Sequence, residues 1–152
     1  MLEKQIAPNF TLKDTSGKDV NLESYYGDKK IVLLFFPLAF SSVCTKELCS
    51  VRDNLKVFDS LDSEVFGISV DSFFTLRAYK ASNNLNFTLL SDFNKEVSKI
   101  YNVLDEDYFG LVGVSKRAVF VINKEGEIIH SEILDNADKL PDLIKVQDAL
   151  SI

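Results

Sequence analysis

The stretch that most constrains this chain is Ile31 to Phe36, IVLLFF, six consecutive apolar residues closed by Pro37. A run that is apolar on consecutive positions, rather than alternating, is what a central strand covered on both faces requires. Pro37 ends it, because proline fixes φ and removes a backbone donor. Ser41 and Ser42 then offer helix caps, and an amphipathic helix is expected to start near Cys44. Leu48, Val51, Leu55 and Phe58 recur at three- and four-residue steps to give it one apolar face, with Lys46, Glu47, Arg52 and Lys56 elsewhere. A cysteine therefore stands at a helix N-terminus. Unpaired N–H groups and a partial positive charge there favour a thiolate, the reactive form, over a thiol.

The segments around this centre read as a mixed sheet flanked by helices. Asn9 to Lys13 and Asp19 to Leu22 form an N-terminal hairpin about Asp14-Thr15-Ser16-Gly17, whose residues suit a turn. Glu64 to Val70 is a strand and Ser72 to Ala81 a helix capped by Ser72, which with the central strand makes a βαβ unit. Phe87 to Leu90 is a short strand and Asn94 to Tyr101 a short helix; Tyr108 to Ser115 reads only as a glycine-containing loop. Ala118 to Ile122 and Glu127 to Ile133 flank the turn Asn123-Lys124-Glu125-Gly126, and Asp138 to Leu150 is expected to close the chain as a helix with Pro141 in its first turn. The expected class is α/β and thioredoxin-like, one domain over residues 1–152.

Composition narrows the function. With 46% hydrophobic residues and twelve Phe in 152 residues, the chain can bury a core. Its net charge of −6 argues against nucleic acid or an anionic membrane as a partner. No apolar run approaches membrane-spanning length, and MLEKQIAPNF lacks a leader pattern, so a cytoplasmic protein is expected. In a reducing compartment two cysteines five residues apart point to catalysis or redox chemistry rather than a structural staple. One His and two Cys are too few for a closed zinc site, and no glycine-rich phosphate loop is present; neither metal nor bound cofactor is expected.

The residues PLAFSSVC, Pro37 to Cys44, resemble the peroxiredoxin active-site motif of a Pro, a Thr or Ser four residues later, and a Cys three after that. The resemblance extends to Ala7-Pro8-Asn9-Phe10, to Ser69-Val70-Asp71-Ser72 with Phe74, to Leu90-Ser91-Asp92 and to Lys116-Arg117, in family order. FFPLAF and the TKELC that includes Cys49 are closest to the branch joining the peroxiredoxin Q (bacterioferritin-comigratory) and AhpE types. By this resemblance Cys44 is the peroxidatic nucleophile, which attacks a hydroperoxide to give a sulfenic acid. Arg117 holds the thiolate and donates to the developing oxygen, Ser41 donates or accepts at the peroxide, Pro37 shields the site, and Glu47 orients Arg117. Cys49 is implied as the resolving cysteine and a thioredoxin-like or other dithiol as the reductant. Ser41 departs from the family, most members of which carry Thr there; serine keeps the hydroxyl but loses the methyl that fixes χ1.

Other readings stand beside these. A lone cysteine is usually a buried small hydrophobe, an isolated Arg117 a surface charge, Glu47 an ordinary first-turn acid, and Cys49 a core residue, in which case an external thiol resolves Cys44. Leu38, Ala39 and Phe40 suit an alkyl tail or the core equally. His130 reads as a half-exposed strand residue and Asp105-Glu106-Asp107 as a solvated loop. The rival function is a non-peroxidatic thiol-disulfide oxidoreductase or a thiol-based binding or redox-sensor module, although thioredoxin-type chemistry calls for C-x-x-C and Cys44 and Cys49 are spaced C-x-x-x-x-C. Phe73-Phe74 and Tyr108-Phe109-Gly110-Leu111 have no obvious burial partner in the sequence, which leans toward a homodimer.

Overall fold

The N-terminal hairpin consists of β1 (Thr11–Asp14) and β2 (Asp19–Asn21). Asp14 holds its turn, Oδ1 accepting from the Ser16 N–H at 2.8 Å and the Lys18 N–H at 3.0 Å. The computed structural model describes residues 5–136 and 138–152; Met1 to Lys4, part of the stretch read for a leader, lie outside the described residues. After the hairpin come β3 (Lys30–Phe35), α1 (Ser42–Asp53), α2 (Leu55–Ser60), β4 (Ser63–Ser69), α3 (Phe73–Ser82), β5 (Thr88–Ser91) and α4 (Glu96–Ile100). The chain ends with β6 (Leu104–Asp105), β7 (Val114–Ser115), β8 (Arg117–Ile122), β9 (Ile128–Leu134) and α5 (Leu143–Leu150).

Seven strands form one mixed sheet in the order β2-β1-β5-β4-β3-β8-β9, the thioredoxin-like arrangement expected. β3, β4 and β5 run parallel, and β8 lies antiparallel on the other side of β3. β3 is thus central, and every residue from Ile31 to Phe36 is fully buried. Alternation along the strands sorts the core into two layers. Val32, Leu34 and Phe36 with Val119 and Val121 face Cys44, Leu48 and Val51 of α1, Leu76 and Tyr79 of α3, and Val146 and Leu150 of α5. Ile31, Leu33 and Phe35 with Ala118, Phe120 and Ile122 face Val97, Tyr101 and Phe10. Each fully buried aliphatic or aromatic side chain stabilises by about 1.5–3 kcal/mol, so the six-residue run tolerates no position but the centre.

Three expectations need correction. The helix expected to continue through Phe58 is broken at Asn54, which takes φ −110° and ψ 13° and donates from Nδ2 to the Ser50 carbonyl at 2.8 Å. The apolar period runs across this break because α2 buries Phe58 against the same core, so periodicity alone hides it. The last helix begins at Leu143, not Asp138. Pro141 disfavours helical backbone at Leu140, and Asp142 caps instead, accepting from Ile144 N at 3.1 Å and Lys145 N at 3.3 Å. The loop after Asp107 is more ordered than its sequence indicates, with β6 pairing β7 across it and a tight bridge between Tyr108 and Leu111.

Candidate active site

The loop after β3 sets down α1 with Cys44 as its third residue, fully buried at the start of the helix. Ser41 is the N-cap, with φ −77° and ψ 147°, but its side chain does not cap. Its hydroxyl donates to the Leu38 carbonyl at 3.0 Å, so no serine oxygen occupies the first-turn N–H groups around Cys44. The loop is pinned at two points. Asp71 Oδ2, just beyond β4, accepts from the Ala39 N–H at 2.7 Å and from the Ser69 hydroxyl at 2.7 Å. Phe40, 56% exposed and held at φ 67°, packs edge-on against Tyr79 at 5.0 Å, and Tyr79 donates its hydroxyl to Thr45 Oγ1 at 3.0 Å. Pro37 is buried at the head of the loop and Ala39 packs on the core, while Leu38 is half-buried.

Arg117 reaches Cys44 from 73 residues away through strand register. Phe35 pairs with Ala118, which sets Arg117 across from the end of β3. Alternation along β8 turns its side chain to the face of Val119 and Val121, the face that α1 covers. Arg117 Nη2 donates to Cys44 Sγ at 3.3 Å and Nη1 to Glu47 Oε1 at 2.6 Å. Both members of the ion pair are essentially inaccessible, with side chains 0% and 1% exposed. Burial pushes the Glu47 carboxyl up to about 7, against the charge and hydrogen bond of Arg117. Burial pulls the guanidinium down, but Glu47 and Cys44 more than offset this and leave it above its ordinary value. Glu47 Oε2 is buried without a hydrogen-bond partner, and Glu47 lines a cavity of about 250 Å³ with Ser50, Leu140, Pro141 and Leu143.

Of the residues singled out from sequence, Ser41, Cys44, Glu47 and Arg117 lie at the N-cap and first two turns of α1 and the strand end that faces them, with Pro37 at the entry to the loop. Cys49 is not among them. Its Sγ lies 3.9 Å from Asn83 Oδ1 toward α3, half-buried, and both cysteines are free. His130 sits half-buried in β9 opposite Val121. Asp105 and Asp107 spend their carboxylates on the N–H groups of Asp107 and Gly110, and among the described residues no three His, Cys, Asp or Glu side chains converge as a metal site. Among the described residues no helix is long and apolar enough to cross a membrane. A larger groove of about 530 Å³, lined by Phe73, Phe74 and Phe93, lies beside β1 and α3 and does not reach Cys44. Sequence reasoning gave no role to Asp71 or Tyr79, each of which acts on the loop or helix from a distant segment; a motif match at Asp71 was the only signal for either.

The AhpC/TSA family model matches residues 4–131. A chloroplastic 2-cysteine peroxiredoxin of Chattonella marina var. antiqua is 40% identical over 139 residues, covering 85% of this chain and 69% of the relative. The chain belongs to the peroxiredoxin family. Alkyl hydroperoxide reductase E of Mycobacterium tuberculosis is 38% identical over 129 residues, covering 84% of this chain and 82% of that protein. The crystal structure of peroxidoxin BcpB from the same organism superposes with a TM-score of 0.87 at 26% identity, covering 99% of this chain and 96% of that one. As a peroxiredoxin the protein is a thiol peroxidase, an oxidoreductase, and its buried cysteine, arginine and glutamate lie within a fold the family shares.

The raised Glu47 carboxyl gives this peroxiredoxin a pH signature. Between its ordinary 4.5 and about 7 the folded chain keeps a proton that the unfolded chain has released. This contribution to stability is fully present below 4.5 and is lost as pH rises through about 7. Urea unfolding in steps across that window is expected to show the native protein losing stability relative to Glu47→Gln as pH rises. Parallel curves for the two proteins would mean that Arg117 outweighs burial at Glu47.

Proposed function

We propose that Cys44 carries the peroxidase chemistry on hydrogen peroxide and organic hydroperoxides. The observation behind this reading is the 3.3 Å contact of Arg117 Nη2 with Cys44 Sγ at the start of a buried helix. The Cys44 thiolate attacks the terminal peroxide oxygen, an S–O bond forms as the O–O bond breaks, and the leaving oxygen takes a proton to depart as water or an alcohol. The sulfur is oxidised by two electrons to a sulfenic acid, and the peroxide is reduced by two. Arg117 stabilises the thiolate and the charge that develops on the oxygens, Ser41 holds the peroxide by its hydroxyl, Glu47 fixes the guanidinium, and Pro37 keeps water out. Cys44→Ser is expected to abolish peroxide consumption. Arg117→Ala should lower kcat/KM on the order of 10²–10³-fold, the usual cost of one donor aimed at a developing oxyanion; a loss of less than tenfold would take Arg117 out of the pocket.

Cys49 then attacks the sulfenic sulfur, a Cys44–Cys49 disulfide forms, and water leaves. A thioredoxin-like or other dithiol reduces that disulfide by exchange, which suits a reducing compartment such as the cytoplasm. In an intact helix residues five apart have Cα atoms roughly 8.6 Å apart, beyond the ~7 Å that a disulfide spans. Cys49 also faces Asn83, away from Cys44. Resolution therefore requires α1 to unwind from Cys44 to about Arg52. That movement exposes Leu48 and Val51, at about 1.5–3 kcal/mol each, and breaks the 2.6 Å bond from Arg52 Nη1 to the Asn83 carbonyl. Mass spectrometry after one equivalent of peroxide should find a Cys44–Cys49 link. A lasting sulfenic acid with Cys49 intact would assign resolution to an external thiol.

Two copies of the chain are proposed to pair. Phe74 is 65% exposed, and Phe40, Phe109 and Val112 are exposed as well. Light scattering at micromolar concentration is expected to give a dimer mass, and a monomer mass would leave these side chains as ordinary surface.

A further inference from the structure

α1 meets α3 along a seam of polar contacts. Thr45, Cys49 and Arg52 stand at i, i+4 and i+7 of α1, on one stripe, and they meet Tyr79 of α3 and Asn83 at its C-cap, again four apart. Tyr79 donates its hydroxyl to Thr45 Oγ1 at 3.0 Å, Cys49 Sγ lies 3.9 Å from Asn83 Oδ1, and Arg52 Nη1 donates to the Asn83 carbonyl at 2.6 Å. Asn86, just beyond α3, donates from Nδ2 to the Arg52 carbonyl at 3.3 Å. The last three contacts all fall between Cys49 and Arg52, the final turn of the segment that disulfide formation has to unwind.

The α3 side of this seam is held still by its own bonds. The helix ends in a Schellman motif, in which the Leu85 N–H returns to the Lys80 carbonyl at 3.0 Å and the Asn84 N–H to the Ala81 carbonyl at 3.3 Å, with Asn84 left-handed at φ 51°. Leu85 is buried in the α1 layer of the core and anchors the turn. The Asn83 amide is fixed as well. Its Nδ2 donates to the Tyr79 carbonyl at 3.1 Å, which leaves Oδ1 for Cys49, and toward that acceptor a thiol can only donate its S–H. α3 thus presents a fixed amide oxygen and a fixed carbonyl to the half of α1 that carries the second thiol. Water can replace each of these contacts once the helix departs, so the seam holds α1 without forbidding its release.

We propose that Asn83 is a positioning residue for Cys49, and that with Arg52 and Asn86 it forms a clasp that keeps the second thiol on α3 and sets how long the Cys44 sulfenic acid lasts. This rests on the reading of Cys49 as the resolving cysteine. In that step the Cys49 sulfur attacks the sulfenic sulfur, the S–S bond forms as the S–O bond breaks, and the hydroxyl leaves with the thiol proton as water. The clasp opens first, because Cys49 cannot approach Cys44 while the helix between them is intact and held to α3. While it stays closed the sulfenic acid waits, and an external thiol has that interval in which to attack the same sulfur, giving a mixed disulfide and water.

The test separates the two chemical steps in the full chain. One equivalent of hydrogen peroxide is added without reductant, and intact-mass spectrometry of samples quenched at increasing times distinguishes thiol, sulfenic acid and disulfide. Asn83→Ala removes the contact with Cys49, and Arg52→Met removes the bond to the Asn83 carbonyl. Each is expected to speed conversion of sulfenic acid to disulfide about fivefold, the size of one lost hydrogen bond, and to leave formation of the sulfenic acid within about twofold of native. Acceleration of at least about threefold in both variants supports the proposal, and less in either overturns it. A change of more than about twofold in sulfenic acid formation would mean that the variants disturb the Cys44 pocket, and would overturn it too. Phe58→Leu, a core change in α2 away from the seam, is expected to lower resistance to urea and leave the disulfide step at its native rate; equal acceleration there would assign the effect to overall stability and sink the clasp. If the native protein forms no Cys44–Cys49 link, the role of Cys49 fails and that of Asn83 with it; if the link forms at one rate in native and variant proteins, only the clasp fails.

Discussion

The burial of one guanidinium governs this structure. Arg117 lies at the start of an otherwise apolar strand with 0% of its side chain exposed, where an unpaired charge would cost several kcal/mol. Its partners, Cys44 Sγ and Glu47 Oε1, are one helical turn apart, so they face it together only while α1 is helical and docked. The dependence runs both ways. The register of β8 on β3 aims the arginine, and the helix after the Pro37 loop supplies the two groups that make its burial tolerable. One cation facing two acids is still an unequal match. Burial acts on that match by raising the Glu47 carboxyl to about 7, against the charge of the guanidinium beside it.

What could be read from the sequence follows from where the interactions lie along the chain. Pro37, Ser41 and Cys44 are close in sequence, and the buried strand and the helix cap that place them are local patterns, so the loop was legible. Arg117 carries no such local sign. Just before AVFVI it reads as a surface charge, and only a family resemblance joined it to a cysteine 73 residues away. Tyr79 and Asp71 went unread for the same reason, because a hydrogen bond from Tyr79 to Thr45 or from Ala39 to Asp71 leaves no periodicity in either segment. At the other extreme, periodicity said too much at Asn54. Leu55 and Phe58 keep the apolar spacing of α1, but a side chain that bonds Ser50 interrupts the helix between them.

The pocket is built as much by its surroundings as by its reactive groups. The loop that ends in Ser41 is held by a carboxylate just beyond β4 and by an aromatic ring of α3, two elements from separate parts of the chain. Such bracing suits a site whose cysteine is fully buried. Peroxide is small enough to enter a tight pocket, and donors fixed in advance need no rearrangement as charge develops.

The break at Asn54 limits how far any disturbance of α1 can travel. Helical hydrogen bonds fail in series, so a continuous helix from Ser42 to Ser60 would carry fraying at Cys44 toward Phe58 and loosen the core under β4. Here α1 is a separate segment of 12 residues, and α2 keeps Phe58 buried and hands its Phe58 carbonyl to the Ser63 hydroxyl at 2.7 Å. The asparagine marks the boundary between these two segments. Cys44 and Cys49 both lie in the first segment, while the second packs Phe58 under the sheet.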